Sequence, residues 1–151
     1  MILNGGCATT ANLQKRWQAR KNLELAEKLI SKGDYAGALK ENRQIVRLFP
    51  SEPPGDSALL YVGLIWAHPD NPQKNYAKAL EAFQLIQRDY PQSELKEEVS
   101  VWSDVMEKLI RYEGNIDDLE KTVTELKNRL NTLKEIDIGI EKKRREDFPL
   151  K

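Results

Sequence analysis

Few side chains in this sequence could do chemistry, and their spacing serves it poorly. His68 is the single histidine and Cys7 the single cysteine. General base catalysis needs an imidazole or carboxylate held beside the group it deprotonates. His68 lies in His68-Pro69-Asp70-Asn71-Pro72, a turn composition, so a turn or packing role is expected for it. One histidine and one cysteine cannot supply a four-ligand structural zinc site. No glycine-rich phosphate loop is present. Asp117-Asp118 falls on the outer face of a helical pattern and reads as solubilising charge. Trp17, Trp66 and Trp102 occupy apolar helical positions, which predicts core packing. Lysines and arginines number 24 against 24 acidic residues and are interleaved with them. That balance leaves no net field for nucleic acid or an anionic membrane. The expectation is a chain without catalytic residues, metal site or cofactor, and not an enzyme.

The elements that would position any binding surface are helical. At 151 residues, one domain is the natural count. The longest apolar run, residues 58–67, is too short to span a bilayer and reads as a buried helix. Thr10 or Asn12 is expected to cap a helix over 13–32, with Leu13, Trp17, Leu25, Ala26, Leu29 and Ile30 at helical spacing. Gly33-Asp34 breaks it. A second helix runs from Tyr35 to Leu48, until Pro50 and Pro53-Pro54-Gly55 stop it, since proline lacks the amide donor. Asp56 or Ser57 caps a third helix to Ala67, and Tyr76 to Asp89 forms a fourth.

Two of these stretches repeat one another. Aligning Tyr35 with Tyr76 also aligns Ala38 with Ala79, Ile45 with Ile86, Phe49 with Tyr90, and Pro50 with Pro91. A repeat of this period points to stacked helix pairs, which present surfaces and not reaction centres. The pattern resembles the tetratricopeptide repeat, a helix-turn-helix unit of about 34 residues. Leu25-Ala26, Leu29, Tyr35, Ala38 and Pro50 match in the first unit. Leu59, Val62-Gly63, Trp66, Tyr76, Ala79, Phe83 and Pro91 match in the second. Asn42 stands where an aromatic is usual, and extra residues fall in the two turns, where insertions cost little. The resemblance implies an all-α fold of about two antiparallel helix pairs plus a capping helix. It also implies a protein- or peptide-binding groove lined by the first helix of each pair, here Leu23, Glu27, Ile30, Leu60 and Leu64.

Leu3-Asn4-Gly5-Gly6-Cys7-Ala8-Thr9-Thr10 resembles the end of a bacterial lipoprotein signal, in which the cysteine is lipidated. Asn4 stands where an aliphatic residue is usual. The stretch from Leu59 through Tyr90-Pro91-Gln92-Ser93 is similar to small proteobacterial tetratricopeptide lipoproteins with a C-terminal coiled coil, a group that includes outer-membrane partners of sensor histidine kinases. That likeness implies lipid attachment at Cys7, outer-membrane anchoring facing the periplasm, and contact with the membrane through the anchor alone.

From Glu94 to Glu146 no proline occurs. Trp102, Val105, Leu109, Tyr112, Ile116, Leu119, Val123, Leu126, Leu130 and Leu133 advance in alternating steps of three and four, a heptad pattern. Its phase passes Gly114 unbroken, which favours one helix. Trp102, Val105 and Leu109 are expected to cap the repeats. Ile116, Leu119, Val123, Leu126, Leu130 and Leu133 are expected to form a coiled-coil interface. Ile and Val alternating with Leu suit a parallel pair. Arg129 opposite Lys134, and Asp137 on the stripe, argue against an in-register parallel homodimer, which leaves a heteromeric helix with acidic flanks open. The domain reading is a flexible leader over 1–11, a helical domain over 12–112 and a coiled-coil helix over 113–148. The functional reading is a protein-binding envelope scaffold acting on a signalling or assembly partner, with a structural coiled-coil oligomeriser as the alternative.

Overall fold

The computed structural model describes residues 6–147, with side chains from Leu13 onward. Five helices follow one another: α1 (Gly6–Ser31), α2 (Tyr35–Leu48), α3 (Gly55–Ala67), α4 (Tyr76–Asp89) and α5 (Lys96–Asp147). No strand occurs among the described residues, and the fold is all-α. The chain divides into two units, residues 1–110 and 111–151.

Capping and turn chemistry set the helix bounds in unit 1. The α1–α2 turn closes with Asp34 N–H donating to Leu29 O and Gly33 N–H donating to Ile30 O, each at 2.9 Å. This double bond pattern needs a left-handed residue, and Gly33 supplies it with φ of 76°. The second helices of the two repeat units, α2 and α4, are capped alike. Asp34 caps α2 by accepting from Gly37 N–H, and Asn75 caps α4 by accepting from Lys78 N–H, the equivalent position. Phe49 and Tyr90 end the two helices in near-identical conformations, φ −133°, ψ 72° and φ −121°, ψ 68°, their amides donating to Ile45 O and Ile86 O.

Packing is sequential, α1 on α2, α2 on α3, α3 on α4. The pairs run antiparallel. The middle of α1 meets the end of α2, where Ala19 packs with Ile45 and Phe49. Asn22 Nδ2 donates to Gln44 Oε1 at 3.2 Å in the same region. Close approach depends on small residues. Ala38 and Ala79 are wholly buried, and a Cβ on Gly63 of α3 would run into the Phe83 ring of α4. The main core gathers Leu39, Val62, Trp66, Phe83, Ile86 and Tyr90 with Val99 and Met106 from the start of α5. Burial of each large side chain stabilises by about 1.5–3 kcal/mol.

Several sequence expectations shift. α1 starts at Gly6 and not near Leu13, so residues 6–11 are helical where a flexible leader was expected; residues 1–5 lie outside the described residues. Trp17 is 57% exposed and Leu13 and Leu25 are also exposed, in place of the expected core packing. The buried face of α1 is Ala19, Asn22 and Ala26, and Trp17, two residues before Ala19, lies about 160° around the helix from it. Lys21 Nζ instead sits 3.7 Å from the Trp17 ring centroid, an exposed cation–π contact. Asp56 and Ser57 do not cap α3, whose first residue is Gly55 after Pro54. In the capping part of α5 the buried face is Val99, Ser103 and Met106, with Trp102 and Leu109 half-buried and Val105 exposed. The covered face is therefore offset from the heptad stripe by one residue, about 100° around the helix.

α5 continues through Gly114 without interruption, as the heptad phase predicts. Unit 2 contains its part from Arg111 onward, where every described residue is exposed. Ion pairs one helical turn apart support it locally: Lys121 with Asp118, Arg129 with Glu125, and Arg145 with Glu141. Exposed pairs of this kind contribute only about 0.3–0.5 kcal/mol each.

Candidate functional site

The residues expected to line a groove separate in unit 1. Leu23, Glu27 and Ile30 of α1 come together with Ala26, Asn42 of α2 and Tyr61 of α3. They enclose a cleft with no room for a water molecule. Leu60 and Leu64 are not among its walls; they are half-buried and pack against the main core. Asn42 lies at the cleft's base, fully buried. Its Nδ2 donates to Ala38 O at 3.0 Å, while its Oδ1 has no partner. A buried polar atom without a partner costs about 1–3 kcal/mol. Asn42 is the residue that departs from the repeat, since Phe83 fills the equivalent place in the second unit.

A wider cleft, about 330 Å³, lies between α2 and α4 with α3 as its floor. Leu59, Val62 and Trp66 form that floor, with Val46 and Leu85 on the walls. Two cations flank the indole, Lys78 Nζ at 4.3 Å from the ring centroid and the Arg43 guanidinium at 5.9 Å. Sequence reasoning missed this surface. Arg43, Trp66 and Lys78 sit on three different helices, and only Trp66 as a helical apolar residue gave a local signal.

The turns around α3 are tied down by side chains, which fits a packing role for His68. Tyr35 Oη lies 3.1 Å from His68 Nδ1, and Asp70 N–H donates to the same nitrogen at 3.2 Å. Asn71 Nδ2 donates to Ile65 O at 2.8 Å, and Asn75 N–H donates to Trp66 O at 2.8 Å. The extra residues of this turn thus satisfy carbonyls at the α3 C-terminus that a helix end leaves without amide partners. At the other end, Asp56 accepts from Ser57 N–H at 2.7 Å and from Ser93 Oγ at 2.6 Å. Tyr90 Oη donates to Phe49 O at 2.7 Å, joining equivalent positions of the two repeats. Burial, with the negative charges of Asp56 and Asp89 nearby, pushes the Tyr90 hydroxyl up to about 12.

Unit 2 holds the predicted coiled-coil residues on one helix. Ile116, Leu119, Val123, Leu126, Leu130 and Leu133 are all exposed, Leu119 at 64% and Leu133 at 63%. Tyr112, Ile136, Ile138 and Ile140 are exposed as well. Asp117 and Asp118 are exposed on this helix, with Asp118 paired to Lys121 at 3.4 Å. Among the described residues no helix is long and apolar enough to cross a membrane, and no group of three histidine, cysteine or acidic residues could hold a metal ion. The Cys7 side chain lies outside the described side chains. No family model matches the chain, and no curated protein or solved structure matches it.

Proposed function

We propose that this chain is a non-enzymatic, protein-binding adaptor whose chief contact surface is the apolar stripe of α5 in unit 2. The observation that carries the reading is the exposure of six large aliphatic residues in continuous heptad phase from Ile116 to Leu133. Contiguous apolar surface of that kind marks a partner-binding face. Heptad spacing selects an α-helix as the partner, because knobs on one helix need holes formed by another. The matching cap hydrogen bonds of α2 and α4 in unit 1 support a tetratricopeptide-like pair of repeats. In this reading the Trp66 cleft adds a shorter peptide contact.

The envelope setting rests on the likeness of residues 3–10 to a lipoprotein signal and of 59–93 to coiled-coil lipoproteins of the outer membrane. In this reading Cys7 carries the lipid, the chain faces the periplasm, and the partner belongs to a signalling or assembly system. A coiled-coil oligomeriser is the second reading, favoured by the same stripe if pairing is its whole role. Deleting the chain after Leu109 separates them. An adaptor loses helix pairing but retains peptide binding in unit 1, whereas an oligomeriser loses all association. Radiolabelled palmitate incorporation that vanishes in Cys7→Ser tests the anchor, and equal labelling of both proteins would remove it.

A further inference from the structure

We infer that the α5 stripe pairs with the same stripe of a second copy, running antiparallel, in one register. The inference rests on reading the stripe as a protein-binding seam and names its occupant. With Ile116 and Val123 at the first core position of the heptad and Leu119 and Leu126 at the other, Glu120 and Lys127 both fall on the flank just after the core. Reversing one helix brings this flank against its own counterpart, and the first core position against the second.

One register uses every part of the stripe. Ile116 faces Leu133 of the second copy, Leu119 faces Leu130, and Val123 faces Leu126, with each pair repeated by the two-fold axis. Glu120 then lies beside Lys127 of the second copy, twice. The one acid on the stripe, Asp137, faces Tyr112 of the second copy, whose hydroxyl can donate to it. All these residues are exposed and on one uninterrupted helix, so each is free to meet a second copy. The overlap from Tyr112 to Asp137 is about 40 Å of helix at ~1.5 Å per residue.

The competing arrangements are poorer for stated reasons. In the parallel in-register pair Asp137 meets Asp137 in the core and Arg129 meets Lys134, so like charges face each other inside and beside the seam. Sliding the antiparallel pair by one heptad one way sets Glu120 against Glu120. The other way sets Lys127 against Lys127 and buries Asp137 against Leu119. A burial of that kind leaves a carboxylate without a hydrogen-bond donor. Charge complementarity thus selects both the direction and the register.

The test is disulfide trapping on the full chain in a Cys7→Ser background, with differently tagged copies carrying Leu119→Cys or Leu130→Cys. The expected result is an oxidised heterodimer from the mixture and no cross-link from either variant alone. A self-cross-linked Leu119→Cys dimer would overturn the antiparallel pairing. So would a strict monomer in sedimentation velocity at high micromolar concentration. In that monomer, fast amide exchange over 111–147 leaves the adaptor reading standing with a different helical partner, while slow exchange removes both readings. A charge swap checks the register without cysteines. Glu120→Lys should weaken dimerisation about tenfold, since it turns two attractive flank pairs repulsive. Adding Lys127→Glu should restore it, and failure to restore would overturn the register.

Discussion

Unit 1 and the helix of unit 2 carry apolar residues at the same kind of spacing and meet opposite fates. In unit 1, Ala38, Ile45, Phe83 and Ile86 are wholly buried among neighbouring helices of the same chain. In unit 2, Ile116, Leu119, Val123 and Leu126 remain about half exposed or more. The difference teaches that helical periodicity reports a face prepared for burial and says nothing of whose atoms will bury it. In unit 1 the cover is written nearby as small residues, Ala26, Gly63 and Ala79, that let the next helix approach. Unit 2 has no such small-residue signature and keeps a stripe of large aliphatics, the composition of a seam between separate helices.

The comparison is broken most forcefully by substitutions in the core of unit 1. Phe83→Ala should cost about 3–5 kcal/mol, whereas Leu126→Ala in a monomeric sample should leave the unfolding of unit 1 unchanged. Urea melts followed by tryptophan fluorescence measure both. Equal losses would mean that the stripe is already buried within its own chain.

The next effect is a pH dependence confined to unit 1. The Tyr90 hydroxyl is pushed up to about 12 in the folded chain, against about 10 when unfolded. Its stabilising contribution is complete below pH 10 and is lost as pH rises toward 12, because the unfolded chain releases that proton first. The loss should be at most about 3 kcal/mol, two units at ~1.4 kcal/mol each. Tyr90→Phe should flatten the slope and lower neutral-pH stability by about 1 kcal/mol through the lost bond to Phe49 O. An unchanged slope in Tyr90→Phe would assign the dependence elsewhere.

Asn42→Leu should stabilise unit 1 by about 1 kcal/mol, because it removes a buried acceptor that has no partner. A destabilised variant would show that Oδ1 is satisfied in solution. The smallest effect is in unit 2. A Cβ at Gly114 meets nothing within 4 Å, so Gly114→Ala should strengthen the helix by about 1 kcal/mol. Circular dichroism on heating reads it, and lost helicity would point to a required bend there.

Much of the fold was legible because its punctuation is chemical. Helices begin at Tyr35 and Tyr76 as read, and Pro50 and Pro91 lie just past their ends. The aligned Ala38–Ala79 and Ile45–Ile86 pairs are the wholly buried ones. What escaped was relational. Trp17 follows a helical period, yet α1 buries the opposite face, Ala19, Asn22 and Ala26. Val105 and Met106 are adjacent and both apolar, so spacing alone favoured Val105, while the core takes Met106. Of the groove residues, Leu23, Glu27 and Ile30 share a helix face and stay together. Leu60 and Leu64 are drawn to the main core because α3 is apolar on nearly every side. The Trp66 cleft depends on three helices at once, which no local pattern encodes.

Hydrogen–deuterium exchange of the full chain across a dilution series tests most directly whether unit 1 supplies its own cover and unit 2 does not. α2, α3 and α4 should stay protected at every concentration. Residues 111–147 should exchange quickly when dilute and slow down only as a second helix becomes available. Slow exchange over 111–147 in a chain shown to be monomeric at the lowest concentration would contradict this division.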